Sequence, residues 1–278
     1  MKDLAPRYLR LIGLSEPPRG LDGLRLLVRH HLTAVPFENI SKLLQFERER
    51  IGRPVTVEEF LDGIEHHDLG GTCYSSNPFL AALLQAIGYE AVLLGADMAT
   101  PDVHTSIRVR VDGNDYHVDV GYAAPFREPI PLNRLPYAVP HGHHRYVLDR
   151  GRVNHTFELK TFDREAHIHG YVVHPPPRTP EFFRQTIVDS FERGRTFMRC
   201  LRITRFFDDH AVELRNRRLI VYRGAESHET IINSLAELRY AVEMDMLMPR
   251  CPVERAVTVL EGLTGAPFFG DQPWADSM

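Results

Sequence analysis

A cysteine, a histidine and an aspartate, met in that order, are the residues of this chain most suited to covalent chemistry. Cys73 follows Leu69-Gly70-Gly71-Thr72 and precedes Tyr74-Ser75-Ser76-Asn77-Pro78-Phe79 and the apolar run Leu80-Ala81-Ala82-Leu83-Leu84, which has the spacing of a buried helix. Paired glycines allow a tight turn and close backbone approach, and the start of a helix aims its amide dipoles at whatever sits there. Such a position favours a thiolate. A nucleophilic thiol also needs a base, and the base an orienting carboxylate. His104, in Asp102-Val103-His104-Thr105-Ser106, and Asp119, in Tyr116-His117-Val118-Asp119-Val120-Gly121-Tyr122, supply both. A lone cysteine is most often a small buried hydrophobe. The glycine-rich lead-in separates Cys73 from Cys200 and Cys251, which stand among apolar and basic residues and are read as structural.

The elements around these residues follow from periodicity. Leu4 to Gly13 and Leu21 to Leu32 carry apolar residues at helical spacing, and Thr56 with Glu59 forms a capping start for a further helix reaching His66. Between them, Pro36 breaks the helix and sets Phe37 beside Glu38 and Asn39, two polar groups able to bond a neighbouring backbone. The first third is therefore helical, with Cys73 near its end. After Gly88 the pattern turns to strands: Ala91 to Leu94, then the alternating Thr105 to Val111, the turn Asp112-Gly113-Asn114-Asp115, and a returning strand Tyr116 to Val120. This hairpin places His104 at one strand start and Asp119 near the end of its partner, where the two can face each other. Further strands at Arg145 to Leu148, Thr156 to Thr161 and Ile168 to His174 suit a small barrel or sandwich. Pro175-Pro176-Pro177 and Pro180 mark a linker or crossover. Beyond it, Glu181 to Arg193, Thr230 to Tyr240 and Val253 to Gly262 read as helices, and Met198 to Arg205 and His210 to Tyr222 as strands with a turn at Asn216-Arg217. Pro78 cannot donate to the carbonyl of Tyr74, so the Cys73 helix is either irregular or begins at Pro78 with Asn77 as its cap.

Composition narrows the classes. With 278 residues and 43% hydrophobic content, the chain is long enough for two or three packed units. A formal net charge of -4 gives no general attraction to nucleic acid or to an anionic membrane, and no apolar run approaches a bilayer span. Three cysteines without close spacing argue against a disulfide framework or a zinc knuckle, and the Met-Lys-Asp start has no apolar signal region, so a reducing, cytoplasmic setting is expected. His141, His143 and His144 share a Gly- and Pro-containing loop without partner acids or thiols at ligand spacing, and are read as solvated rather than as a metal site.

Together with Arg7-Tyr8-Leu9-Arg10-Leu11-Ile12-Gly13-Leu14, His31-Leu32-Thr33-Ala34-Val35-Pro36-Phe37-Glu38-Asn39-Ile40, Gly70-Gly71-Thr72-Cys73 and His117-Val118-Asp119-Val120-Gly121-Tyr122, the Cys, His, Asp order resembles the arylamine N-acetyltransferase family over most of the chain. The resemblance implies an α+β multidomain fold with a cysteine-protease/transglutaminase-like core. In it, a helical bundle at 1–88 carries the cysteine, a β-barrel at 89–180 carries His104 and Asp119, and an α/β lid spans 181–278. It also implies acetyl-CoA as cosubstrate, no metal, and small-molecule acceptors such as arylamines, arylhydroxylamines or hydrazines, acetylated by a ping-pong route through an acetyl-cysteine. Phe37, Met98 and Tyr122 map to its substrate-binding positions. The chain departs from the family pattern at Leu69, Ser75 and Ala123, where Arg, Glu and Gly are usual. Two other classes use the same ingredients: amide synthase, transglutaminase-like or cysteine-protease-like amide chemistry, and a non-catalytic binding protein. A burst of free CoA, release of ammonia or peptide, or a thiol inert to iodoacetamide tells the three apart.

Overall fold

Leu24, Leu27, Val28 and Leu32 lie buried along one side of the Gly20–Ala34 helix, as their spacing requires. It follows the shorter Ala5–Leu11 helix, whose first turn accommodates Pro6 because no intrahelical partner is missed there. In the computed structural model, which describes residues 1–153 and 155–270, these helices join the Cys73–Ala86 helix and a large sheet in one compact unit made of Met1–Ala34 and Cys73–Phe183.

That sheet is antiparallel and eight-stranded. Its order is Ile130–Pro131, Asn114–Val118, His104–Val111, Glu90–Asp97, Ala166–Arg178, Phe157–Asp163, His144–Arg150 and Tyr137–His141. Alternation builds it: Ile107, Val109 and Val111 are buried, while Arg108 and Arg110 between them are not. The hairpin turn is two residues long, with Asp112 at φ 49° and Gly113 at φ 75°, the left-handed pair that matches the twist of flanking strands. Leu94, Ile130, Leu148, Leu159 and Val173 meet in one apolar cluster, and Tyr137 and Val139 of the last strand pack against it. Strands from both ends of the order thus share a single core, as in a nearly closed barrel.

The Pro175-Pro176-Pro177 run is not a linker. It continues the Ala166–Arg178 strand, where Leu94 pairs with Pro177 and Leu93 with Arg178, and a bulge between Leu94 and Ala96 absorbs the offset. On the other side, pairing with the Phe157–Asp163 strand ends at Val173, so the prolines lie beyond the second ladder and their missing N–H groups break nothing there.

Val35–Thr72 and the described residues from Arg184 onward form a second compact unit. Its antiparallel sheet runs Phe37–Glu38, Arg202–Phe206, Ala211–Arg215, Arg218–Arg223 and Glu226–Ile231, with helices at Ile40–Glu49, Val57–His67, Leu235–Tyr240 and Val253–Thr264. The capping box is present, with the Glu59 amide donating to Thr56 Oγ1 at 3.2 Å and the Thr56 amide to Glu59 Oε2 at 2.8 Å. Three expected spans change. Residues 230 and 231 finish a strand, and the helix starts only at Leu235, capped by Ser234. The helix expected from Glu181 is a tight turn at Pro180–Phe183 followed by the short Arg184–Asp189 helix. The strand expected from Met198 begins only at Arg202. Among the described residues, no helix is long and apolar enough to cross a membrane.

Candidate active site

Cys73 is the first residue of its helix, and Pro78 lies inside that helix rather than opening it. The amide dipoles of the first turn therefore face the cysteine, while the carbonyl of Tyr74 loses its usual amide partner. Two contacts fix this helix start against the sheet. Thr105 Oγ1 donates to the carbonyl oxygen of Cys73 at 2.7 Å. At Gly121, a Cβ would stand 2.5 Å from Cys73 Cα and 2.8 Å from Asn77 Nδ2, so glycine alone lets the chain after Val120 pass this closely.

The hairpin brings the other two residues in. Ile107 pairs with Val118, so continuing the register sets Asp119 two positions from His104 on the same face, a diagonal that an aromatic side chain spans. His104 Nε2 lies 2.7 Å from Asp119 Oδ2. Cys73 Sγ donates to the carbonyl oxygen of Val103, the residue before His104, at 3.9 Å, which sets the thiol beside the imidazole. Cys73, His104 and Asp119 are 7%, 2% and 1% exposed, so the row runs through a dry interior within one unit.

The carboxylate of Asp119 is saturated. Oδ1 accepts from Asn77 Nδ2 and from the Gly121 amide, each at 2.9 Å, and Oδ2 accepts from His104 and from the Tyr171 hydroxyl at 2.7 Å. Asn77 also donates to the carbonyl of Thr105 at 2.5 Å and accepts from the Val120 amide at 2.9 Å. His117 Nε2 lies 3.0 Å from the Tyr171 hydroxyl. Because that hydroxyl donates to Asp119, it accepts from His117. Sequence reasoning does not find Asn77 as a partner of Asp119, nor Tyr171, His117, Thr105 or Gly121. The strand alternation at Tyr171 says that it faces inward, but not what it meets.

Electrostatics follow from these contacts. Burial pushes the His104 pKa down, but the Asp119 charge and hydrogen bond, with Cys73 adding to them, raise it to about 10. Burial pushes Asp119 up, but the His104 charge and hydrogen bond and the Asn77 bond hold it below the usual carboxylate range. Burial takes His117 down to about 4, so it is a neutral donor to Tyr171.

The three expected substrate-binding positions fall in different places. The Tyr122 ring packs edge-on against His104 with centroids 5.5 Å apart, and its hydroxyl meets Thr161 at 2.9 Å and His169 Nδ1. Met98 is exposed just past the Glu90–Asp97 strand, whose Ala96 pairs with His104. Phe37 belongs to the other unit, where it pairs with Thr204 and packs against Phe197 at 5.8 Å. There Glu38 and Asn39 do bond backbone: Glu38 accepts from the Ser41 and Gly70 amides, and Asn39 donates to the carbonyls of Phe197 and Cys200. Cys200 is buried and donates to the carbonyl of Thr196, and burial pushes the Cys251 thiol up, so neither has the surroundings of Cys73.

A buried thiol set against a raised imidazole, itself backed by a saturated carboxylate, is equipped to attack a thioester or amide carbonyl. Known proteins narrow that choice. A model of the N-acetyltransferase family matches residues 20–245. The arylamine N-acetyltransferase of Mycolicibacterium smegmatis is 28% identical over 91% of this chain and 97% of its own. Human arylamine N-acetyltransferase 1 is 29% identical over 46% of each chain. Among solved structures, a Mycobacterium smegmatis arylamine N-acetyltransferase superposes with a TM-score of 0.75 at 26% identity, covering 93% of this chain and 99% of that one. The Mycobacterium marinum enzyme, solved in complex with CoA, shares the fold with a TM-score of 0.77 at 21% identity, covering 93% and 99%. The chain is an acetyltransferase, and the family it belongs to is that of the arylamine N-acetyltransferases.

Proposed function

We propose that this protein moves an acetyl group from acetyl-CoA to the nitrogen of an arylamine, arylhydroxylamine or hydrazine by a ping-pong route through Cys73. The observation that carries the reading is His104, held by a carboxylate whose four acceptor positions are all taken, with the buried Cys73 thiol bonded to the carbonyl of the preceding residue, Val103. Family membership and the CoA complex of the Mycobacterium marinum relative support acyl-CoA as the donor.

In the first half-reaction, His104 takes the Cys73 proton and the sulfur attacks the thioester carbonyl. The new carbon–sulfur bond forms as the bond to CoA breaks, and the imidazolium returns the proton to the departing CoA thiolate. In the second, the acceptor nitrogen attacks the acetyl-cysteine, gives its proton to His104, and releases Cys73. Asp119 keeps the ring oriented and stabilises its cationic form in both. Tyr122, Met98 and Phe37 are proposed to contact the acceptor, the chain is proposed to divide into segments 1–88, 89–180 and 181–278 with the last as a lid, and a cytoplasmic setting is proposed.

Intact mass measurement after incubation with acetyl-CoA tests it. A single acetyl group on the wild-type chain and none on Cys73→Ala, with a burst of free CoA, is the expected result. Release of ammonia or cleaved peptide without acetylation would move the protein to amide chemistry.

A further inference from the structure

A second cluster of side chains with chemistry of its own lies at the hairpin tips of the eight-stranded sheet. His141, His143 and His144 have no acid near them in sequence, but the strand register supplies one: His144 pairs with Asp163, and His141 pairs with His144. Consecutive residues of a strand point to opposite faces, yet His143 belongs to the turn and not to the strand, so both rings can turn the same way; their centroids are 4.2 Å apart. One ligand atom from each of His143, His144 and Asp163 falls within 4.8 Å of the other two, and His143 Nε2 lies 3.8 Å from Asp163 Oδ1. Two ligands on one tetrahedral zinc, each about 2.1 Å from the metal, stand roughly 3.4 Å apart, so modest side-chain rotations would close the set. Asp163 Oδ1 is itself buried with no hydrogen-bond partner among the described residues, an arrangement that is unfavourable until something electropositive meets it.

We propose that His143, His144 and Asp163 form a binding site for a divalent cation of the zinc class, with His141 the nearest further ligand by register. Two imidazoles and a carboxylate are a donor set that zinc accepts, leaving a fourth position for water or for His141. The cation would tie the turn before the His144–Arg150 strand to the end of the Phe157–Asp163 strand. It lies outside the Cys73 row and takes no part in the acetyl transfer proposed above.

The test uses tag-free full-length chain carrying Cys73→Ser, so that neither a tag nor the reactive thiol competes for metal. After treatment with EDTA, the protein is titrated with Zn²⁺ by calorimetry and with Co²⁺ by visible absorption. A single saturable step is expected, with the visible band of a four-coordinate cobalt site. His143→Gln and Asp163→Asn should each weaken Zn²⁺ binding at least about tenfold, the lower end of what losing even an outer-shell partner costs a metal site. Exposed His66 lies in the other unit, and His66→Gln should leave the affinity unchanged. Because buried His144 is the riskiest position to alter, the decision rests on the two milder variants, with matching far-UV circular dichroism showing that they are folded. No saturable step with the cation-site residues intact, or undiminished affinity in both His143→Gln and Asp163→Asn, overturns the proposal.

Discussion

Asp119 in one unit and Glu38 in the other are both carboxylates buried away from water, and both accept backbone amides, yet their titration moves in opposite directions. Glu38 spends its oxygens on the amides of Ser41 and Gly70. Burial raises its pKa, and those neutral donors do not offset the desolvation. Asp119 accepts the Gly121 amide as well, but it also faces a ring that can carry a positive charge, and its pKa falls. Amide donors hold a buried carboxylate in place, whereas a titratable partner decides its charge. Glu38 is thus placed to pin the start of the Ile40–Glu49 helix and the backbone at Gly70, and Asp119 to control a proton.

The largest effect that sharpens this contrast is expected at Asp119. Asp119→Asn should keep the fold, since Asn can still accept from Asn77 or Gly121, but should lower acetylation by about 10⁴-fold through loss of tautomer control and charge. Steady-state rates with circular dichroism as the folding check decide it, and full activity would leave Asp119 a structural residue only. Next is His104→Gln, which should slow the alkylation of Cys73 by iodoacetamide, followed as a rate against pH. The profile is read with Cys200 and Cys251 replaced by Ser, and superimposable wild-type and variant curves would dissolve the link between Cys73 and His104.

Glu38→Gln should behave differently. It replaces one acceptor with a donor facing a backbone amide, costing about 1–3 kcal/mol of stability while leaving most of the acetylation rate per folded molecule. The pH dependence separates the two carboxylates further. A lowered folded pKa gives Asp119 a stabilising contribution that is complete above 3.8 and lost as pH falls through about 2. A raised folded pKa gives Glu38 a contribution that is complete below 4.5 and lost as pH rises through its folded value. His104, raised to about 10 from 6.5, contributes fully below 6.5 and loses that contribution in alkali. In urea unfolding across the acid range, the destabilisation by Asp119→Asn should therefore grow with pH, and that by Glu38→Gln should shrink. Parallel slopes would mean that the two carboxylates do not differ as argued.

The smallest effect is at Ala123, just past Tyr122, where the backbone sits at φ 60° in the left-handed region and the family usually has glycine. Ala123→Gly should raise stability by at most about 1 kcal/mol, because relief of the left-handed strain is partly cancelled by the extra freedom of glycine in the unfolded chain. A lower thermal midpoint would show that the alanine methyl group packs usefully there.

The local signals were readable from the residues alone. Two glycines and an apolar helical run single out Cys73 from Cys200 and Cys251, and the Asp112-Gly113 turn with its alternating flanks brings His104 and Asp119 within reach of each other, because a two-residue hairpin fixes its own register. What surrounds them was decided only in three dimensions. Asn77 and Tyr171 reach Asp119 from a helix and from a strand far along the chain, and Asp163 reaches His144 by a strand pairing that no spacing announces. Pro175 to Pro177, which composition reads as a break, extend a strand because the neighbouring ladder stops at Val173. Periodicity along a chain records which face of an element meets the core. Which donor finds which acceptor depends on register and on the packing of distant elements, and the charge of a buried group follows from that partner rather than from its own type.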